Sequence, residues 1–191
     1  MKKFELTSEK INWVGHTLFR IKACVDFTTI YGDEIKAGDL GGFIEKEENL
    51  SHDGKAWIFD NAKVYDNAKV LGNARIFNNA LIYGNATILD NVRVFNNARV
   101  WDNARVWDNA TILDSAEISD NALICGNAKV YDCACIYGNA EIYENARVFG
   151  NAEIFGDVSV CDDARVLGNA KVFGNARVCG DTEISGNAKI C

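Results

Sequence analysis

No run of 18 or more apolar residues occurs in this 191-residue chain, and Glu5 and Glu9 interrupt its start before any apolar run can form. Neither a membrane span nor a secretory signal is therefore expected, and a cytoplasmic location follows as the expectation. Proline is absent and histidine nearly so, with only His16 and His52 present. Disorder is excluded by the opposite measure, because 48% of the residues are hydrophobic and 25% charged. The seven cysteines are an odd number and cannot all pair within one chain. Without an export signal they are expected as reduced thiols. A formal net charge of -7 favours solubility and disfavours a simple phosphate-binding protein.

What is present is a repeat. From Ile58 to Ile190 every sixth residue is Val or Ile, without an exception or an inserted residue. Two places before each stands a small residue, Ala in nearly every case, with Val92, Val158 and Thr182 as the variants. Alternation in Ala-x-Val-aromatic has the period of a strand, so Ala and Val face one side and the other two residues face the opposite side. Pairs such as Asp66-Asn67, Gly84-Asn85 and Gly150-Asn151 follow each strand, and these residue types tolerate the positive φ that turns a chain. Asn fills the second turn slot in most repeats, which predicts stacked amide ladders.

Sorting the outward residues by three repeats places Tyr and Trp mainly in one column (Tyr65, Tyr83, Trp101) and Leu and Cys in another (Leu71, Leu89, Cys125, Cys161, Cys179). A three-sided coil of roughly 18 residues is expected, repeated between seven and eight times over residues 56–191 as a prism roughly 35 Å long. Each buried Val or Ile contributes roughly 1.5–3 kcal/mol before chain entropy is subtracted, so no cofactor is needed for stability. Residues 1–55 lack the repeat and read as a small β cap over the first coil. Phe4-Glu5-Leu6 and Leu18 to Ala23 are its expected strands, with a turn at Val14-Gly15-His16-Thr17. Gly38 to Ile44 is glycine-rich but lacks the Lys-Ser/Thr and following helix of a phosphate loop.

The hexapeptide period resembles the left-handed parallel β-helix of hexapeptide-repeat proteins, and the handedness follows from that resemblance alone. The stretch Gly38-Asp39-Leu40-Gly41-Gly42-Phe43-Ile44, continued by Gly54-Lys55-Ala56-Trp57-Ile58 and the Asn-Ala-x-Val units, resembles the YdcK-type hexapeptide-repeat proteins of bacteria and their phages. The resemblance implies a phage or prophage origin, a bacterial host cytoplasm, and a label of acyltransferase that is carried by fold analogy.

Hexapeptide acyltransferases, as a family, use a histidine base and loops protruding between coils to bind coenzyme A or an acyl carrier. Neither His16 nor His52 lies in the repeats, and no loop interrupts them. A coenzyme A-dependent acyltransferase trimer is therefore the alternative, and a non-catalytic protein the main reading. Asp60, Asp66, Asp102, Asp108 and Asp132 read as turn formers, and His52 as a cap residue. No metal set is legible: Cys133 and Cys135 lack further ligands nearby, and Cys161 and Cys179 read as fillers stacked on adjacent coils. The nine-residue calcium repeat is absent, and Thr87 and Thr111 are the only outward strand threonines, on different faces, too few for an ice-binding surface.

The surface carries the functional expectation. More than half of the positions just after an inward Val or Ile are aromatic. Arg75 and Arg93 alternate with Phe77 and Phe95 on one face, Arg99 with Trp101 on the next, and Arg105 with Trp107 on the third. Arginine beside an outward ring suits protein hot spots and also base stacking. Residues 113–191 carry six cations against twelve anions, which lowers the expectation of direct nucleic-acid binding. A protein partner is expected, in one version a host-defence nuclease or nucleoprotein that this chain inhibits. Self-association into a homo-oligomer is expected as well, through the aromatic faces or end to end at an open last coil.

Overall fold

The computed structural model describes residues 2–191 and is all-β, with one short 3-10 turn at Glu47–Asn49 and no α-helix among the described residues. The repeats form a three-faced β-solenoid. Each short strand pairs in parallel with its counterpart one coil further on, as Arg99 opposite Glu117 and Val100 opposite Ile118 show. The first face, from Trp57–Ile58 to Glu183–Ile184, is an eight-stranded sheet, and the third, from Lys69–Val70 to Arg177–Val178, has seven strands. The second face runs from Lys63–Val64 to Lys189–Ile190 and is extended by cap strands into an eleven-stranded sheet. The regular strand is very short, but its neighbours join the ladder: Trp101 N–H donates to Ile118 O at 3.0 Å and Asn103 N–H to Asp120 O at 2.8 Å.

The corners explain why the turns read Asp/Gly-Asn. Every residue in the first turn slot, from Asp60 to Gly186, has positive φ; Gly fills the slot in some repeats and Asp, Asn or Glu144 in the others. Asp and Asn are the non-glycine residues that enter this region most readily. Here they also bond to the next coil: Asp66, Asp120 and Asp132 accept the N–H of Gly84, Gly138 and Gly150. Glu144, the exceptional residue type, accepts Asp162 N–H at 2.8 Å in the same way. The second slot carries the amide ladders, for example Asn85 to Asn103 at 3.0 Å and Asn103 to Asn121 at 3.2 Å. At the corner after the first face Ser115 and Cys133 replace Asn, and the amide ladder is formed farther along, from Asn151 to Asn169 at 3.1 Å.

Inward Ala, Val and Ile are fully buried from Ala56 to Val172, and Phe4, Ile21, Ala23, Ile35 and Ile44 of the cap belong to the same apolar cluster. The cap begins with β1 (Phe4–Trp13) and β2 (His16–Ala23). Their turn is Val14-Gly15, both at positive φ as a tight hairpin requires, so His16 and Thr17 are already in the strand. A second hairpin joins β3 (Phe27–Thr28) and β4 (Glu34–Ile35), and β5 (Leu40–Ile44) pairs antiparallel with β2 and parallel with Lys63–Val64. Thus β5 occupies the place of a preceding coil on the second face. Gly41 and Gly42 make that approach possible, because a Cβ on either would lie 2.6 Å from a backbone oxygen, of Ile58 or Ala62.

One expectation is corrected. Cys161 and Cys179 form a disulfide, with Cα atoms 4.7 Å apart, while five other cysteines are free. An unbroken coil places these positions one above the other within the span of a disulfide, a proximity that the cellular compartment does not alter. Unfolded, unreduced protein should titrate five thiols with Ellman's reagent and seven after reduction; seven without reductant would refute the bond. Replacing the fully buried Ile118 by Ala should lower unfolding free energy by about 2–5 kcal/mol, read as a fall in the urea midpoint at constant slope.

Candidate functional site

The eight Arg and aromatic residues singled out in the sequence do not meet at one place. Arg75, Phe77, Arg93 and Phe95, with Asn78, line one open cleft of about 270 Å³ on the first face. Arg99 and Trp101 lie on the second face and Arg105 and Trp107 on the third. The outward rings are largely paired with one another along the solenoid axis. Phe59 stacks on Phe77 at 4.3 Å, Tyr65 on Tyr83 at 5.0 Å, and Tyr83 on Trp101 at 5.8 Å with their planes 2° apart. Farther along, Tyr131 stacks on Phe149 and Tyr137 on Phe155. Such stacks turn ring faces toward each other and leave edges to solvent, which keeps the columns half-buried.

The cap covers part of the first face. The loop between β3 and β4 lies along it: the Tyr31 hydroxyl donates to Asn91 O at 2.6 Å, and the Tyr31 ring sits 4.8 Å from the Arg75 guanidinium and 5.4 Å from that of Arg93. Arg75 is only 13% exposed, is paired with Asp33 at 2.7 Å, and also lies over Phe77. Burial pulls its guanidinium down from the ordinary value while Asp33 opposes that, and the group stays cationic. Arg75 therefore anchors the cap. Arg93 has no carboxylate partner among the described residues and donates to Thr111 Oγ1 at 3.2 Å. Beyond it the column continues with Lys129, Arg147 and Arg165, all exposed, in direct register and without an ion pair among the described residues. Tyr31 and Asp33 carry no sequence signal for this role, because nothing local says on which face the loop lands.

Both histidines are structural clamps. His52 stacks on Phe4 at 4.3 Å and accepts the Lys3 backbone N–H at 3.2 Å. His16 bridges cap and coil, with Nδ1 3.0 Å from Glu45 Oε1 and Nε2 3.6 Å from Asp66 Oδ1, while Glu45 Oε2 accepts Asp66 N–H at 2.7 Å. The hydrogen bond to Glu45, aided by Asp66, raises the His16 pKa. Burial alone would raise that of Glu45, but His16 and the Asp66 N–H outweigh it and hold the carboxyl below its usual range. The same three side chains are the kind that hold a divalent metal, yet each already bonds another member of the group or the backbone.

No protein-family model matches the chain, and no curated protein matches it.

The His16 clamp sets a pH dependence. A raised histidine pKa contributes stability that is complete below about pH 6.5 and lost as pH rises through the folded value. The depressed Glu45 contributes stability present above about pH 4.5 and lost on acidification through its folded value. The stability difference between wild type and His16→Gln should be greatest between these limits and shrink on both sides. A difference flat from about pH 4 to 9 in urea titrations would sink this reading.

Proposed function

We propose that this protein is a non-catalytic solenoid scaffold, of the YdcK type, that binds a protein through outward cations and rings. The observation that carries the proposal is the first-face column Arg93, Lys129, Arg147 and Arg165. These are like charges on a parallel ladder, with Lys129, Arg147 and Arg165 in direct register and none paired to a carboxylate among the described residues. Neighbouring like charges cost stability, and only Glu183, in register with Arg165 but without an ion pair to it, stands against them in the column. The half-buried rings beside it, Phe95, Tyr131 and Phe149, supply apolar contact next to charge, as hot spots do. Rows of carboxylates at the corners flank this face and oppose a bare polyphosphate, which favours a protein surface over free nucleic acid. In the phage-derived version, the partner is a nuclease or nucleoprotein of host defence and binding inhibits it.

The solenoid surface also supports the non-catalytic reading. Most of its corner carboxylates, among them Asp66, Asp108, Asp120 and Asp132, accept hydrogen bonds from the next coil, and both histidines are held by the cap. Immobilised protein should retain a discrete partner from nuclease-treated bacterial lysate. The double variant Arg147→Glu and Arg165→Glu should retain at least tenfold less, while Lys69→Glu on the third face retains the wild-type amount. Equal retention by all three, or material that disappears on nuclease treatment, would refute the proposal. Saturable acetyl-coenzyme A binding lost in His52→Ala would establish the transferase reading in its place.

A further inference from the structure

One complete coil carries no outward ring on any face, although the coils directly before and after it carry three each. Leu113, Ser119 and Cys125 occupy the slots held by Phe95, Trp101 and Trp107 on the coil before and by Tyr131, Tyr137 and Tyr143 on the coil after. On the second face the break is deepest, because Ser119 is a small side chain between Tyr65, Tyr83, Trp101 and Tyr137, Phe155, Phe173 in a column that ends at Cys191. Rings on either side are stacked nearly parallel, Tyr83 on Trp101 at 5.8 Å and 2°, and Tyr137 on Phe155 at 5.0 Å and 2°.

The backbone does not close the gap. Arg99 pairs with Glu117 and Glu117 with Cys135 in unbroken register, and the N–H groups of Trp101 and Ser119 each donate to the next coil at 3.0 Å. The coils bearing Trp101 and Tyr137 are therefore held two rises apart, about 9.6 Å. On this face each neighbouring coil contributes one ring, as Tyr83, Trp101, Tyr137 and Phe155 do, so the interval left by Ser119 corresponds to one ring. The rim is acidic: Glu117 stands beside Ser119 on the strand, and Asp102 and Asp120 occupy the adjoining corner. Arg99 is the cation nearest in register, and it is paired with Glu117 at 3.3 Å.

We propose that the slot over Ser119 receives an aromatic side chain from a basic segment of a partner protein, which slides between Trp101 and Tyr137 as the missing rung. The inference rests on the protein-binding reading and adds the chemistry of the bound segment. The ring is specified by continuity of the stack, and the flanking cations by Asp102 and Asp120 at the corner, Glu117 being already paired with Arg99. A nucleobase has the same flat shape but brings phosphate against that rim.

The test uses the intact protein and two acetylated, amidated peptides, Lys-Arg-Trp-Lys-Arg and its analogue with Ala for Trp, followed by amide shifts in two-dimensional NMR. The Trp peptide should move the Trp101, Ser119 and Tyr137 resonances and saturate at a concentration at least tenfold below the Ala analogue. Ser119→Ala keeps the slot open and should keep the response. Ser119→Tyr should abolish it while raising the thermal midpoint, and Ser119→Leu, judged folded by its amide dispersion, fills the slot independently. Equal response to both peptides, a response that survives Ser119→Tyr or Ser119→Leu, or stronger shifts at these residues with adenosine monophosphate would each overturn the inference. Lysate capture that persists in Ser119→Tyr while the peptide response fails in wild type would overturn the slot alone, whereas capture insensitive to the first-face charge reversals counts against the broader function.

Discussion

Everything in this protein depends on holding the coil to one constant length without a slip. A strand this short has almost no stability of its own, and here each one is held by backbone bonds to the coils beside it. Those bonds exist only if every corner turns through the same angle, which demands positive φ at one position in each hexapeptide. Gly meets the demand through lack of a Cβ. Asp meets it at a conformational cost and offsets that cost by accepting the next coil's N–H. The corner chemistry and the apolar interior thus stabilise one another. The interior fixes which residues point inward, and the corners keep the register in which they stack.

The same constraint shapes the surface. A residue type placed at a given outward slot meets its own column once per coil, so the exterior is a set of one-dimensional rows. Rings in such rows stack and shield one another, which accounts for how a chain with so many outward aromatics keeps them half-buried. Cations in such rows gain nothing from one another. The first-face column is therefore the place where surface chemistry and fold stability part company, and the aromatic column interrupted at Ser119 is the place where a row is incomplete.

The cap does more than cover an end. Its strand β5 continues the second-face sheet, and its β3–β4 loop reaches along the first face to hold Arg75 through Asp33 and Tyr31. Arg75 and Arg93 are indistinguishable in the repeat, yet one anchors the cap and the other lines the cleft beside it without a carboxylate partner among the described residues. The difference lies in non-repetitive residues far upstream, such as Asp33.

Period six, an inward small-aliphatic pair and Asp/Gly-Asn corners were legible from residues 56–191 alone, because in a solenoid each contact recurs at a constant sequence interval and local pattern is also tertiary pattern. From the same arithmetic came the stacking of Cys161 over Cys179, though not their bond. The cap followed no such rule. Where the Tyr31 loop lands, how His16 reaches both Glu45 and Asp66, and which arginine is thereby covered were decided by the tertiary structure. Those contacts join segments whose separation repeats nowhere, and no periodicity carries information about a contact made once.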